Sequence, residues 1–302
     1  MRIVFMGTPD FAKKSLERLY CDKHDIAGVF TQPDKPRNRG MKLSYSPVKE
    51  LALEHGTPVY QPVSLRDFDV AGIVRELKCE LITVVAYGKL LPPEILRIPP
   101  YGCINIHGSL LPKYRGAAPI QWAVINGERE TGVTSQYMGE TLDSGDILQI
   151  KKTQIGENET AGELFERLGI LGAELLSETV DSISSGNAAR KPQNNDEATF
   201  APMIGKDLSP VDWTETAHVI KCKVRGLNPR PAATASLGGT VYKIFSVDIT
   251  DAVTGKVPGE IVSAGDHGIE VACANGTVII KELQTPGGKR MSAADYLKGH
   301  SM

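Results

Sequence analysis

Three polar side chains near the ends of two predicted strands have the types and spacing of catalytic groups. Asn105 and His107 are two residues apart in a strand predicted over residues 102–107, so the amide and the imidazole project from the same face. Asp143 follows the next predicted strand, residues 132–138. An amide, an imidazole and a carboxylate are groups with which enzymes polarise a substrate and move protons. Asn105, His107 and Asp143 are therefore the candidate catalytic residues.

Each of these residues also has a structural interpretation when taken alone. A single histidine in a strand is usually structural, and Asp143 within Leu142-Asp-Ser-Gly-Asp-Ile147 could be a turn carboxylate. A calcium loop is excluded because the D-x-[DN]-x-[DN]-G spacing is missing. Open α/β sheets bind ligands beyond the carboxyl ends of their strands, where Asn105 and His107 are expected, and Asp143 follows a neighbouring strand. Their shared position favours catalysis.

The first half of the chain alternates short β-branched runs with helical patterns. Strands are predicted over residues 2–6, 25–31 and 80–86, with helices over 10–19 and from Ser46-Pro47 onward. This alternation predicts a doubly wound, mostly parallel sheet. The turn after the first strand, Gly7-Thr-Pro-Asp10, lacks the second and third glycines of a dinucleotide-binding loop, so no nicotinamide cofactor is expected.

The pattern changes in the last third of the chain. A polar stretch over residues 187–206 has the composition of a linker. Beyond it, Gly238-Gly239, Gly265-Asp266 and Asn275-Gly276 mark hairpin turns, which predicts a small antiparallel β-barrel over residues 227–283. The expected organisation is a first domain over 1–186, a linker over 187–206 and a second domain over 207–302.

Composition limits the class of protein. The 302 residues are 41% hydrophobic and 23% charged with a net charge of −2, which is typical of a globular chain and excludes a polycation. The five scattered cysteines form no Cys-x-x-Cys pair, which argues against a zinc ribbon and a disulfide framework. We find no signal peptide and no apolar run of about 18 residues. A cytoplasmic protein without a metal or a membrane partner is expected.

Two basic segments are candidates for binding phosphate groups. One lies in a long predicted βα loop, and longer loops than the usual two to six residues often carry function. The other lies in the second domain and contains no acidic residue from Thr216 to Val247. Either segment could be a solvated face, but together they favour an extended phosphate-binding surface that includes Lys35, Arg37, Arg39, Lys42, Lys221, Lys223 and Arg225.

Several motifs resemble those of the folate-dependent formyltransferases. The superfamily pattern is carried by Asn105-Ile-His107-Gly-Ser-Leu-Leu-Pro112 and Leu142-Asp-Ser-Gly-Asp146. Further segments resemble the branch that acts on charged initiator tRNA: Tyr114-Arg-Gly-Ala-Ala-Pro-Ile-Gln121, Thr31-Gln-Pro-Asp34, Arg39-Gly40, Ser46-Pro-Val-Lys49 and Gly226-Leu-Asn-Pro229. The similarity covers essentially the whole chain. It departs from the family at Arg230, where tryptophan is usual, and at Trp122, where arginine is common.

The resemblance implies a Rossmann-like catalytic domain followed by an OB-like barrel that holds tRNA. It implies that 10-formyltetrahydrofolate is the co-substrate, bordered by the turn of Ser109, Leu110, Leu111 and Pro112, and that methionyl initiator tRNA is the acceptor. The loop that carries Arg39 is expected to enter the acceptor stem. A monomer without a metal is expected.

The resemblance also implies a mechanism in which the methionyl amine attacks the formyl carbon. Asn105 and protonated His107 would stabilise the oxyanion, while Asp143 would orient His107 and accept the amine proton. Two alternatives remain open at this point. One is a formyltransferase for an amino-sugar nucleotide, and the other is a catalytically silent RNA-binding module. The basic βα loop speaks against the first, and the retained polar residues speak against the second.

Overall fold

The computed structural model describes residues 1–37, 42–65 and 69–302. The chain forms two compact units. The first unit comprises Met1–Pro119, Glu130–Gln154 and Phe165–Ala201, and the second comprises Ile120–Arg129, Ile155–Leu164 and Pro202–Met302. The domain boundaries expected at residues 186 and 206 stay predictions.

The described part of the chain contains eight α-helices. They are α1 (Asp10–Cys21), α2 (Pro47–Glu54), α3 (Val70–Glu76), α4 (Pro93–Leu96), α5 (Pro119–Ile125), α6 (Ala161–Ser184), α7 (Ala217–Leu227) and α8 (Ala293–Leu297). Short 3-10 turns lie at Asn195–Glu197 and Lys206–Leu208.

The first unit contains the strands that carry the candidate residues. They are β1 (Arg2–Gly7), β2 (Asp25–Phe30), β3 (Lys35–Arg37), β4 (Lys42–Ser44), β5 (Val59–Tyr60), β6 (Leu81–Val85), β7 (Cys103–His107), β8 (Arg115–Gly116), β9 (Glu130–Tyr137), β10 (Ile147–Gln154) and β11 (Phe200–Ala201). Seven of them form one sheet in the order β10-β9-β7-β6-β1-β2-β5. Only β9 runs against its neighbours β7 and β10, so the predicted doubly wound, mostly parallel sheet is confirmed.

The centre of this sheet is apolar because it is covered on both faces. Every residue of β6 is buried, as the continuous run Leu-Ile-Thr-Val-Val predicts for a strand between two layers. Helix α1 buries its apolar residues Phe11, Leu16 and Leu19. The sheet is thereby a rigid support for the strand ends.

Local capping signals also act as the sequence predicts. Helix α2 begins at Pro47, and the Ser46 hydroxyl accepts a hydrogen bond from the Lys49 amide. At the start of α6, Thr160 and Glu163 exchange hydrogen bonds between their side chains and main-chain amides, which is the capping box that the spacing Thr-x-x-Glu indicates.

The second unit is built on an antiparallel sheet. Its strands are β12 (Ala233–Leu237), β13 (Thr240–Thr250), β14 (Ile261–Gly265), β15 (Gly268–Cys273), β16 (Gly276–Gln284) and β17 (Arg290–Ser292). They follow the order β12-β13-β16-β15-β14, and β17 also pairs with β16. All three predicted glycine turns connect strands of this sheet, so the small antiparallel domain is confirmed. Helices α7 and α8 pack on it over one apolar core.

Within these described ranges, no helix is both long enough and apolar enough to cross a bilayer.

Candidate active site

The candidate site lies at the carboxyl end of β7. This strand lies between parallel β6 and antiparallel β9, with Asn105 opposite Gln136 and His107 opposite Thr134. The imidazole is buried, and its Nδ1 lies 3.7 Å from Asp143 Oδ2. The side chains of His107 and Asp143 are only 6% and 13% exposed. The structure therefore brings these two residues together in surroundings that screen charge weakly.

The orientation of His107 is fixed by the main chain of Tyr114. The ring Nε2 lies 2.8 Å from the Tyr114 carbonyl oxygen, and because a carbonyl only accepts, Nε2 carries a proton and donates. The nitrogen that faces Asp143 is therefore Nδ1, which holds a lone pair in the neutral ring and a proton only in the imidazolium. Tyr114 itself has a left-handed backbone with φ of 60°.

The Asp143 carboxylate is held by two donors. The Gly116 amide donates to Oδ2 at 2.9 Å, and the Gln136 side chain donates to Oδ1 at 3.2 Å. Asp143 also has a left-handed backbone, φ 49°, a conformation that aspartate tolerates better than most residues. A Cβ at Gly145 would lie 1.8 Å from the Tyr137 carbonyl oxygen, so glycine is required where the turn contacts the strand.

Asn105 lines a cleft beside this turn. The cleft has a volume of about 370 Å³ with open solvent included, and it is bordered by Leu90, Leu91, Asn105 and the chain from Gln136 to Gly145, including Asp143. Within the described residues the Asn105 side-chain amide has no hydrogen-bond partner, so its donors are available to a molecule in the cleft. An amide and a carboxylate therefore border the same cavity, with His107 behind the carboxylate.

The predicted folate turn lies next to this site but does not border the cleft. Ser109 is fully buried, and its hydroxyl donates to the Lys113 carbonyl at 2.7 Å. Leu111 is also buried, and its amide donates to the Thr134 hydroxyl. Leu110 and Pro112 are half-buried. The assignment of this turn to folate stays a prediction.

The predicted basic residues of the second unit are already engaged in contacts. Lys221 Nζ lies 3.6 Å from a Glu157 carboxylate oxygen and is 12% exposed. Lys223 donates to the Pro210 carbonyl, and burial lowers the pKa of this lysine. Arg225 donates to the carbonyls of Gly156 and Glu159. Composition alone could not show these internal partners, and a role for the three residues in tRNA binding stays a prediction.

The basic βα loop contains a short antiparallel ribbon where the sequence suggests only loop. Lys35 and Arg37 lie on β3, and Lys42 lies on β4, which pairs with it. Arg39 lies outside the described residues. The pairing gives the segment backbone hydrogen bonds that a long open loop would lack.

Two of the motifs that carry the resemblance meet at the base of this ribbon. Lys49 forms an ion pair with Asp34 at 2.5 Å and donates to Gln61, which in turn donates to Asp34 at 2.9 Å. The Thr31 and Ser46 hydroxyls lie 2.8 Å apart. Burial would raise the pKa of Asp34, but the hydrogen bonds from Lys49 and Gln61 outweigh it and hold that pKa below its ordinary value.

The polar groups of the site support proton transfer and oxyanion stabilisation. Among the described residues there is no group of His, Cys, Asp and Glu that could hold a metal ion. Residue types give no indication of four groups that support the site: the Tyr114 carbonyl, the Gly116 amide, the Gln136 side chain and the Gln193 side chain, whose Nε2 lies 3.1 Å from Gln136 Oε1. Two of these lie within the Tyr114-Arg-Gly motif, but main-chain groups carry no residue-type signal.

Comparison with known proteins gives consistent matches along the chain. The formyl transferase family model matches residues 1–180, and the model of the formyl transferase C-terminal domain matches residues 203–301. A curated methionyl-tRNA formyltransferase of Clostridioides difficile is 46% identical over 302 residues, covering 100% of this chain and 98% of that protein.

Solved structures share the fold at low identity. The N-formyltransferase from Helicobacter canadensis, in complex with folinic acid and dTDP-3-aminofucose, has a TM-score of 0.69 at 18% identity, covering 96% of this chain and 99% of that one. HypX from Aquifex aeolicus, in complex with tetrahydrofolic acid, has a TM-score of 0.65 at 20% identity; the match covers 98% of this chain but only 47% of HypX.

Proposed function

This chain belongs to the formyl transferase family, and on that premise we propose that it transfers the formyl group of 10-formyltetrahydrofolate to the amino group of methionyl initiator tRNA. One observation carries the choice of acceptor: the relative named for methionyl-tRNA matches the chain from end to end, through both units. The chemistry is supported by a cleft that Asn105 and Asp143 border, with His107 Nδ1 3.7 Å from the Asp143 carboxylate.

Attack of the uncharged amine on the formyl carbon gives a tetrahedral intermediate with a negative oxygen and a positive nitrogen. In this proposal the Asn105 amide donates a hydrogen bond to that oxygen, and one such donor contributes about 2.7 to 4 kcal/mol. Because His107 Nε2 is engaged by the Tyr114 carbonyl, the second donor is Nδ1. Nδ1 donates only when the ring is protonated, so this role requires the imidazolium.

Asp143 has two tasks in the same proposal. Its carboxylate, 3.7 Å from Nδ1, stabilises the positive imidazolium. It also receives the proton of the positive nitrogen, directly or through water, before the intermediate collapses. Collapse breaks the bond to the folate nitrogen, to which Asp143 returns the proton directly or through water, so that tetrahydrofolate leaves as a neutral amine and the formyl group stays as an amide on the methionyl residue.

Substrate contacts are assigned on the family pattern. We propose that the turn of Ser109 to Pro112 supports the folate and that Lys35, Arg37, Arg39 and Lys42 contact the tRNA. The basic residues of α7 contribute only if their internal partners are exchanged for phosphate. The protein is proposed to act as a monomer in the cytoplasm, the compartment that supplies charged initiator tRNA.

One assay tests the proposal. A labelled formyl donor is offered with charged initiator tRNA, with uncharged initiator tRNA and with an amino-sugar nucleotide. Label should pass to the charged tRNA alone. Transfer to the amino-sugar nucleotide would replace the proposed acceptor, and binding of tRNA without transfer to any acceptor would indicate a silent RNA-binding module.

A further inference from the structure

The segment of residues 190–201, here called the strap, crosses the candidate site although its composition is that of a linker. Its residues up to 200 are exposed apart from Gln193 and Ala198, which are half-buried. Lys191 exchanges two main-chain hydrogen bonds with Ile147 at the start of β10. Near the other end, Thr199 accepts a hydrogen bond from the Arg115 amide, and β11 pairs with β8. The strap is thus fixed on both sides of Gln193.

Gln193 makes five hydrogen bonds inside the first unit. Its Oε1 accepts from Arg115 Nε at 3.1 Å and Nη2 at 2.7 Å. Its Nε2 lies 2.9 Å from the Asp143 carbonyl oxygen, 2.8 Å from that of Gly145 and 3.1 Å from Gln136 Oε1. A flipped amide would set donors against the guanidinium and an acceptor against two carbonyls, so the contacts fix the orientation.

These contacts reach Asp143 by two routes. One holds its main chain through the carbonyl oxygen, and the other runs through Gln136, which accepts from Gln193 and donates to Asp143 Oδ1. Arg115 is 6% exposed, and its guanidinium donates to Gln193 and to Asn195, both on the strap. The left-handed backbone of Asp143 is a conformation that persists only where surrounding contacts impose it.

We propose that Gln193 is a positioning residue for formyl transfer. By tying the Asp143 turn to the buried Arg115 guanidinium, it keeps the Asp143 carboxylate directed at His107. Gln193 does not border the cleft, so it acts through Asp143 and not on a substrate. The proposal rests on the proposed function, since the turnover to be measured is formyl transfer.

Two substitutions separate the contacts of the Gln193 side-chain oxygen from those of its nitrogen. Gln193→Met keeps the length of the side chain and removes all five hydrogen bonds. Gln193→Glu keeps the acceptor for Arg115 but turns an oxygen toward the two carbonyls and brings a negative charge near Asp143. The matched control is Asn194→Ala, which removes a cap of the 3-10 turn on the same strap without touching the Asp143 turn.

The measurements are kcat and the KM of both substrates for transfer to methionyl initiator tRNA, with the melting temperature of each variant. For Gln193→Met we expect kcat to fall about 10- to 100-fold, the loss typical of a catalytic group displaced by about 1 Å, with both KM values within about threefold. Gln193→Glu should fall at least as far, and Asn194→Ala should retain wild-type kcat.

The outcomes distinguish this proposal from the proposed function. An inactive wild type would overturn both. An active wild type with unchanged kcat in Gln193→Met, or with a rise in KM alone, would overturn the positioning role and leave the proposed function standing. If Gln193→Met does not fold, Gln193→Glu decides, because it keeps the Arg115 contacts; wild-type kcat in that variant overturns the role. Equal kcat losses in Gln193→Met and Asn194→Ala would also overturn it, since they indicate general loosening of the strap.

Discussion

Replacing Asp143 with asparagine removes a negative charge that faces His107 Nδ1 across 3.7 Å. At that distance two unit charges attract by about 4.5 kcal/mol at an effective dielectric constant of about 20. In the wild type, Gly116 and Gln136 donate to separate oxygens of the Asp143 carboxylate. The asparagine side chain has a single oxygen, so it cannot replace both of these acceptors. Loss of the imidazolium as an oxyanion donor costs about 2.7 to 4 kcal/mol. We therefore expect kcat to fall by about 100- to 1000-fold.

Single-turnover transfer of labelled formyl groups to methionyl initiator tRNA measures this effect on the chemical step. Folate binding, followed by intrinsic fluorescence, should stay measurable because the cleft wall is otherwise unchanged. Asp146→Asn removes the same charge three residues later and is the control. A folded Asp143→Asn variant that retains more than about a tenth of wild-type turnover would refute the assigned role, since that loss corresponds to only about 1.4 kcal/mol.

Three further predictions concern other parts of the structure. Gly116→Ala adds a Cβ 2.7 Å from a carbonyl oxygen of β11, at a residue whose φ is 122°. The free energy of unfolding should therefore fall by about 1 to 3 kcal/mol, and kcat should fall because the Gly116 amide moves away from Asp143. Urea unfolding and initial rates measure the two effects, and unchanged values would contradict the geometry. Lys49→Met breaks the ion pair with Asp34 and should cost about 2 kcal/mol at pH 7. The pKa of Asp34 is lowered in the folded protein, so the ion pair stabilises the fold at pH values above the Asp34 pKa of the unfolded chain, and this stabilisation is lost as the pH falls through the folded-state pKa. The difference in unfolding free energy between wild type and Lys49→Met should therefore shrink below about pH 4. A difference independent of pH in urea titrations would exclude the ion pair as its source. Thr160→Ala removes the capping box and should cost about 1 kcal/mol, visible as a lower melting temperature, whereas an unchanged value would mean that the cap contributes nothing.

The fold class could be predicted because periodicity and turn residues determine it locally. The continuous apolar run of β6 indicates a strand covered on both faces, and the glycine turns after residue 237 indicate hairpins. The approach of His107 and Asp143 was predictable only in that neighbouring strands carry them. The two strand ends do not coincide, because β9 runs antiparallel to β7 and its last residue, Tyr137, pairs with Ile104; the turn after β9 brings Asp143 to 3.7 Å from His107.

The supports of the site could not be predicted, for different physical reasons. Gln193 lies 50 residues after Asp143, in a polar stretch whose composition is that of a surface linker. The groups that hold His107 and Asp143 at Tyr114 and Gly116 belong to the main chain, which every residue type possesses. Basic residues such as Lys223 and Arg225 show their charge in the sequence but not the carbonyls that engage it.

The strap is the last part of the candidate site to be synthesised. The Tyr114 amide donates to the Thr199 hydroxyl, 85 residues later in the chain. At about 5 to 20 residues per second, a ribosome needs about 4 to 17 seconds to travel that distance. Until then the segment that fixes the His107 ring lacks this anchor, so a nascent chain holds every candidate catalytic residue well before it holds the strap.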